Sequence, residues 1–403
     1  MSEVNTSINI NRWRALFLIA LAELFALSLW FSASAVLPQL ERQWGMSATE
    51  GSWMTTSVQV GFIIGAICFA FLGLADRYNP RKIFAIACIF GAVINSLFTL
   101  STGMAMGLSL RFLTGITMAG VYPTAVKLLS TWFQDRRGFG IGILIAALTL
   151  GSSLPHLFNL FIPNVSWKIL MLVSSLLALV AAGIMHWGLP DAPDSKEEVA
   201  TVSMNTFKYI LKDRPVMLAN YGYFGHMWEL YAMWTWLPYF LTASFKASLE
   251  GTALQEASTL FAFLTIGISG AIGSIIGGLY ADKIGKARLS MIAMIVSAVS
   301  SICIGLTFGL SIWITVIVAI IWGISVVADS AQFSAMVADF AKSEYVGTAL
   351  TFQMAIGFLI TVFSIYLIPV FEDIVGWKWA FSILAIGPVL GVLAMISLIR
   401  YKH

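Results

Sequence analysis

Five ionisable residues interrupt the long apolar runs of this sequence: Glu23, Arg111, His226, Glu229 and Asp329. An ionisable side chain at bilayer depth costs at least ~2.5–3.5 kcal/mol, so each marks a place where the chain needs a charge, a proton or a polar ligand. Glu23 lies nine residues into its run, about 13 Å at ~1.5 Å per residue. Arg111 lies six residues into its own run from the opposite side, or about 10 Å. In a hydrocarbon core ~30 Å thick the two come within reach of each other. Burial and a nearby guanidinium act on a carboxyl in opposite senses, and arginine keeps its own charge. Glu23 is therefore expected to carry a proton and Arg111 to regulate it. The plainer alternative is a buried ion pair that joins two helices.

His226 and Glu229 stand three apart and share a helix face. They sit in YGYFGHMWELYAMWTWLP, a stretch rich in Tyr and Trp, and the same face continues to Met233 and Trp236. Trp236 and Tyr239 suit an interfacial aromatic belt, whereas Trp228 falls mid-run. This face is expected to contact a solute; the alternative is a buried histidine satisfied by its neighbours. Asp329 and Gln332 repeat the spacing in VVADSAQF. They are expected to line the same cavity, or else Asp329 holds a basic loop residue. Trp30, seven after Glu23, and Tyr122, eleven after Arg111, follow the same stripes and are candidate cavity walls. Three acids against one arginine and one histidine suit a small organic solute, zwitterionic or partly cationic, and the aromatics suit stacking. The sequence holds no HExxH, and Cys68, Cys88 and Cys303 form no spaced pair, so neither zinc nor a disulfide is suggested. No nucleophile–base constellation is visible. The chemistry implied is binding and proton movement rather than catalysis, with no cofactor.

These side chains must be carried on membrane spans. Hydrophobic residues make up 59% of the chain and charged ones 11%, far below the quarter usual in soluble domains. The net charge of +3 is no nucleic-acid signature. Runs of about 20 apolar residues fit the bilayer, and twelve occur: 14–38, 52–75, 82–102, 105–130, 138–161, 167–188, 214–241, 258–281, 288–308, 311–338, 346–370 and 377–399. All are expected to be helices, because unpaired backbone cannot face lipid. With the first residues inside, eighteen of the 23 Lys and Arg fall on the inner side and four outside, with Arg111 inside a span. That asymmetry places both termini in the cytoplasm and the protein in the inner (plasma) membrane as a multi-pass chain. Arg12, Arg14 and Ala33-Ser34-Ala35 imitate a signal peptide, but the run is too long and Glu23 interrupts it. The longest polar connection, Pro190–Asp213, divides the chain into a six-helix half over 1–189, a cytoplasmic linker over 190–213 and a second six-helix half over 214–403.

The loop after the second run reads GLADRYNPRK, and a related string, GLYADKIGKAR, follows the eighth. Asp76 and Asp282 lie 206 residues apart, so the chain reads as a duplication. The two strings resemble the loop motif G-x-L-x-D-R-x-G-R-[RK] of the major facilitator superfamily. Leu72 stands at the first copy's leading Gly, Asn79–Pro80 replace its Gly-Arg, and the second copy lacks the Leu. The resemblance implies the major facilitator fold, all-α with twelve spans in two pseudo-symmetric halves, and a cavity lined by spans 1, 4, 7 and 10. The five ionisable residues named above all fall on those four spans. It also implies a gating role for Asp76, Arg77, Arg81, Asp282, Lys283, Gly285 and Lys286. Asp76 would meet the start of span 11 near Tyr345–Gly347, and Asp282 the start of span 5 near Gly138. Arg111 heads RFLTG, similar to the span-4 motif R-x-x-x-G implicated in proton coupling. The segment GVYPTAVKLLSTWFQDRRGFGIGILIAALTLGSSLP looks similar to the nitrate/nitrite-porter-like branch. Spans 2 and 8 lack that branch's anion-binding arginines, and the drug-antiporter pattern of span 5 is half present. The expectation is a proton-coupled secondary transporter of a small organic solute, monomeric in the lipid bilayer. The alternatives are a drug or metabolite efflux antiporter, an uncoupled uniporter, or a transport-dead receptor.

Overall fold

The computed structural model describes residues 2–72, 74, 78–133, 137–161, 166–190, 209–342 and 346–401. Its elements are helices: α1 Ser2–Leu27, α2 Ala48–Leu72, α3 Pro80–Leu97, α4 Met104–Met118 continued as Tyr122–Trp132, α5 Arg137–Phe161 and α6 Trp167–Gly183. The second set comprises α7 Arg214–Phe245, α8 Gly251–Ile284, α9 Lys286–Leu306, α10 Ile312–Ala328 continued as Ser330–Phe340, α11 Val346–Val375 and α12 Trp377–Tyr401. Ten of these are long and apolar enough to cross a membrane by length and composition. The remaining two, α1 and α7, are long enough but more polar. The opening turns of α1 are polar, and α7 carries Asn220, His226 and Glu229 among its aromatics. Local chemistry starts several helices. The Asn79 side chain accepts from the Arg81 backbone N–H at 3.0 Å ahead of α3, and the Asp213 side chain accepts from Val216 N–H at 3.2 Å ahead of α7. A proline follows within the first two helical positions in each, Pro80 and Pro215, where the N–H has no intrahelical acceptor to lose.

Close helix packing shows the duplication directly. A Cβ on Gly65 of α2 would stand 2.8 Å from the Ile116 carbonyl of α4, and one on Gly115 would stand 2.1 Å from that of Val58. Gly273 of α8 and Gly323 of α10, each 208 residues later, meet the carbonyls of Ile324 and Thr265 at 2.1 and 2.2 Å in the same sense. Small residues that let backbones touch are what hold membrane helices together, since lipid offers no hydrophobic drive between them. The halves join where α2 packs on α11 and α5 on α8, with Ser274 Oγ donating to the Gly142 carbonyl at 2.9 Å.

Three spans are not continuous helices. After α1 stops at Leu27 the chain turns, enters a 3-10 turn over Ser34–Val36 and then a short surface helix over Leu37–Trp44. The expected single helix over 14–38 is therefore broken. The α4 span breaks after Met118 and restarts at Tyr122, where Pro123 sets the new helix. The α10 span breaks at Asp329. Most of the expected linker over 190–213 lies outside the described residues.

Candidate functional site

The breaks decide what the buried charges touch. The carbonyls of the turn that follows α1 continue no helix, and Arg111 takes two of them. Its guanidinium donates to the Leu29 carbonyl at 3.0 Å, to Ser32 Oγ at 3.2 Å and to Asn95 Oδ1 at 3.3 Å, and it also bonds the Trp30 carbonyl. Its Nε reaches the Met54 carbonyl at 3.4 Å. A cation at a helix C-terminus is favoured by the free carbonyls and the helix dipole. Arg111 is fully buried and has no carboxylate partner among the described residues. The expected Glu23–Arg111 pair is thus corrected. Glu23 is also fully buried, yet neither carboxylate oxygen has a hydrogen-bond partner among the described residues. It lies within electrostatic range of Tyr122 and Cys88.

On α7 the ionisable pair divides. His226 Nδ1 stands 2.9 Å from Asp329 Oδ1, and Nε2 stands 3.1 Å from Ser330 Oγ just past the α10 break. Glu229, the expected second member of that face, points into its own half. It accepts from Ser297 Oγ of α9 at 2.7 Å and from Trp322 Nε1 of α10 at 2.6 Å. Trp236 donates to the Ile365 carbonyl of α11 at 2.9 Å, and Trp228 to the Ile383 carbonyl of α12 at 3.1 Å. Glu229, Trp228 and Trp236 are therefore corrected from solute contacts to packing groups, because α7 is nearly enclosed and most of its faces meet other helices. Gln332 is buried but absent from the cavity wall.

The central cavity lies between the two halves. Its polar and aromatic wall includes Trp30 from the turn after α1, Tyr122 from α4, Tyr223, His226, Tyr231 and Trp234 from α7, and Ser330 and Ser334 from α10. Trp30, Tyr122 and His226 are sequence candidates that the structure brings together; Asp329 stands behind His226. Tyr223, Tyr231, Trp234 and the two serines were missed. The available signal was the 3.6-residue stripe 223, 226–227, 230–231, 234, which the spacing of the two ionisable residues obscured. The cavity measures about 80 Å³, small against the ~300–1,000 Å³ of ligand pockets. Aromatic rings from both halves close it on the side away from the chain ends. Phe62 and Phe358 sit 4.5 Å apart between ring centres, Trp30 and Tyr231 5.8 Å, and Phe31 and Trp234 6.0 Å. Further out, Tyr239 Oη stands 3.3 Å from Glu41 Oε1 across the same interface. Trp30 and Trp234 line the cavity, and their indole N–H groups have no hydrogen-bond partner among the described residues.

At the end bearing the chain termini, Asp76, Arg77 and Tyr345 lie outside the described residues. Arg81 bonds the Leu189 carbonyl at the end of its own half. Lys286 pairs with Asp339 at 2.6 Å, also within one half. Lys283 stands 5.3 Å over the Tyr280 ring, Asp282 is exposed, and Gly285 turns the chain at φ +90° between α8 and α9.

A helical membrane bundle with a polar cavity between two repeated halves defines a solute carrier. Residues 19–328 and 222–403 match the profile of the Major Facilitator Superfamily, and the chain belongs to that family of transporters. A solved bacterial homologue of the human lysosomal transporter Spinster, inward-facing and unoccupied, shares the fold. Its TM-score is 0.70 at 14% identity, over 96% of this chain and 95% of that one. A gallate transporter of Pseudomonas putida is 24% identical over 358 residues, which is 80% of this chain and 77% of that protein. A probable sulfoacetate transporter, SauU, of Cupriavidus necator is 24% identical over 257 residues, so the chain spans 58% of that relative's length.

Proposed function

We propose that this protein is a proton-coupled secondary transporter that carries a small aromatic organic acid by alternating access. The observation that carries the reading is the pair of unpartnered indole N–H groups in an aromatic-walled cavity between the halves. Buried donors without acceptors are costly, and a ligand rich in carboxylate and hydroxyl oxygens satisfies them. The surrounding rings stack on a planar solute. Among the described residues His226 is the one basic side chain on the wall; Asp329 holds its Nδ1 edge, and Nε2 meets the Ser330 hydroxyl, which shares the wall. The similarity to a gallate transporter agrees with this substrate class. The small cavity requires the halves to part before a solute enters. In this reading Glu23 carries the proton, and Arg111 positions Trp30 by fixing the break in α1. The Asp76 and Asp282 loops, with Arg77, Arg81, Lys283, Gly285 and Lys286, latch the halves at the cytoplasmic end. The chain works as a monomer in the inner membrane with both termini inside, as its basic residues argue.

The test is a thermal-melt panel on purified protein with hydroxylated aromatic acids, pyridine carboxylates and aliphatic acids. A specific solute stabilises the protein by mass action. An aromatic acid is expected to raise the melting temperature, and Trp234→Phe and His226→Ala are expected to abolish the rise. Stabilisation by aliphatic members alone overturns the substrate class.

A further inference from the structure

We propose that a groove on the lipid-facing side of the carboxy-terminal half binds one anionic phospholipid. The groove runs between α7, α11 and α12, holds about 580 Å³, and is walled by Tyr221, Phe224, Trp228, Leu390 and Leu393. Its floor is a pair of glycines. A Cβ on Gly225 would stand 2.2 Å from the Gly387 carbonyl, and one on Gly387 would stand 2.5 Å from that of Gly225. The two backbones touch there, and the larger side chains on either side stand up as walls. Such a channel is apolar and open to the bilayer, so its occupant is a chain of similar chemistry.

Length and charge narrow that occupant to one lipid. From Leu218 to Trp228 the groove follows ten residues of α7, about 15 Å. That is half of a ~30 Å hydrocarbon core, the depth of a single leaflet. Its mouth is basic. Arg214 lies four residues before Leu218, and Arg400 three after Ser397, which places each on the stripe that lines the groove. The Arg214 guanidinium stands 5.9 Å over the Tyr401 ring, next to Arg400. Both arginines are exposed and have no acidic partner among the described residues. The nearest carboxylate in sequence, Asp213, is engaged in capping α7, and Lys212 adds a further exposed cation. Guanidinium groups at the mouth of an apolar groove match a phosphate with net negative charge. A zwitterionic headgroup carries its own cation and gains less.

The experiment is native mass spectrometry of the full chain, delipidated in detergent and offered equimolar phosphatidylglycerol and phosphatidylcholine. The wild type is expected to retain phosphatidylglycerol several-fold over phosphatidylcholine. The pair Arg214→Gln and Arg400→Gln is expected to bring that ratio near one, while Arg214→Lys with Arg400→Lys keeps it. Ser397→Trp, which fills the groove, is expected to lower retention of both lipids. Melting temperatures in detergent report that each variant is folded. Equal retention by the wild type, or an unchanged ratio in the glutamine pair, overturns the proposal. A two-chain mass without lipid assigns the groove to a second copy and overturns it as well.

Discussion

Glu229 shows how a buried carboxylate earns a structural rather than a transport role. It is 1% exposed, and both of its oxygens are taken by donors on neighbouring helices of its own half. Removing the acceptor strands two buried donors, at about 1–3 kcal/mol each. Glu229→Leu is therefore expected to lower the melting temperature by several degrees while solute affinity, read by calorimetry on the protein that remains folded, changes less than two-fold. A large loss of affinity at unchanged melting temperature would return Glu229 to the solute site. The i, i+3 spacing told correctly that His226 and Glu229 are neighbours on one helix. It could not tell that α7 is covered on most sides, so that two residues on adjacent stripes meet different partners. The same limit applied to Arg111. Nothing in LFALSLWFSASAV, which holds neither glycine nor proline, announces that the helix stops at Leu27 and frees the carbonyls that the guanidinium then takes.

At the level of elements, the twelve spans were legible because hydrocarbon thickness fixes their length and their backbone must bond internally. The break in α4 also had a visible cause in GVYPT, since proline cannot continue the ladder of the preceding helix. Helix pairing was less visible, and it rests on the glycines that recur 208 residues apart. Adding a branched side chain at Gly115 drives it into the Val58 carbonyl, and at Gly323 into that of Thr265. Gly115→Val and Gly323→Val are both expected to reduce the yield of monodisperse protein and to lower its melting temperature sharply. Gly347→Ala, where nothing lies within 4 Å, is expected to leave both unchanged. Tolerance of valine at either crowded site in size-exclusion chromatography would mean that α2–α4 or α8–α10 contact is looser than the backbone distances require.

For the whole molecule, the coupling proposed above rests on Glu23, whose carboxyl oxygens have no hydrogen-bond partner among the described residues. An ionised, unpaired carboxylate in an apolar interior is strongly disfavoured, so in the proposed cycle Glu23 has to meet water or a cation before it can give up a proton. Parting the halves supplies that change, because the Trp30, Phe62 and Phe358 rings that seal the cavity come from both of them. In the proposed cycle a proton and a solute move together without covalent chemistry. Glutamine imitates the protonated acid and cannot release it. Glu23→Gln in liposomes is expected to abolish accumulation driven by a pH difference and to retain exchange of solute down its own gradient. Accumulation that persists in this variant would move the proton to the His226–Asp329 pair, and Asp329→Asn would then have to produce the loss that Glu23→Gln did not.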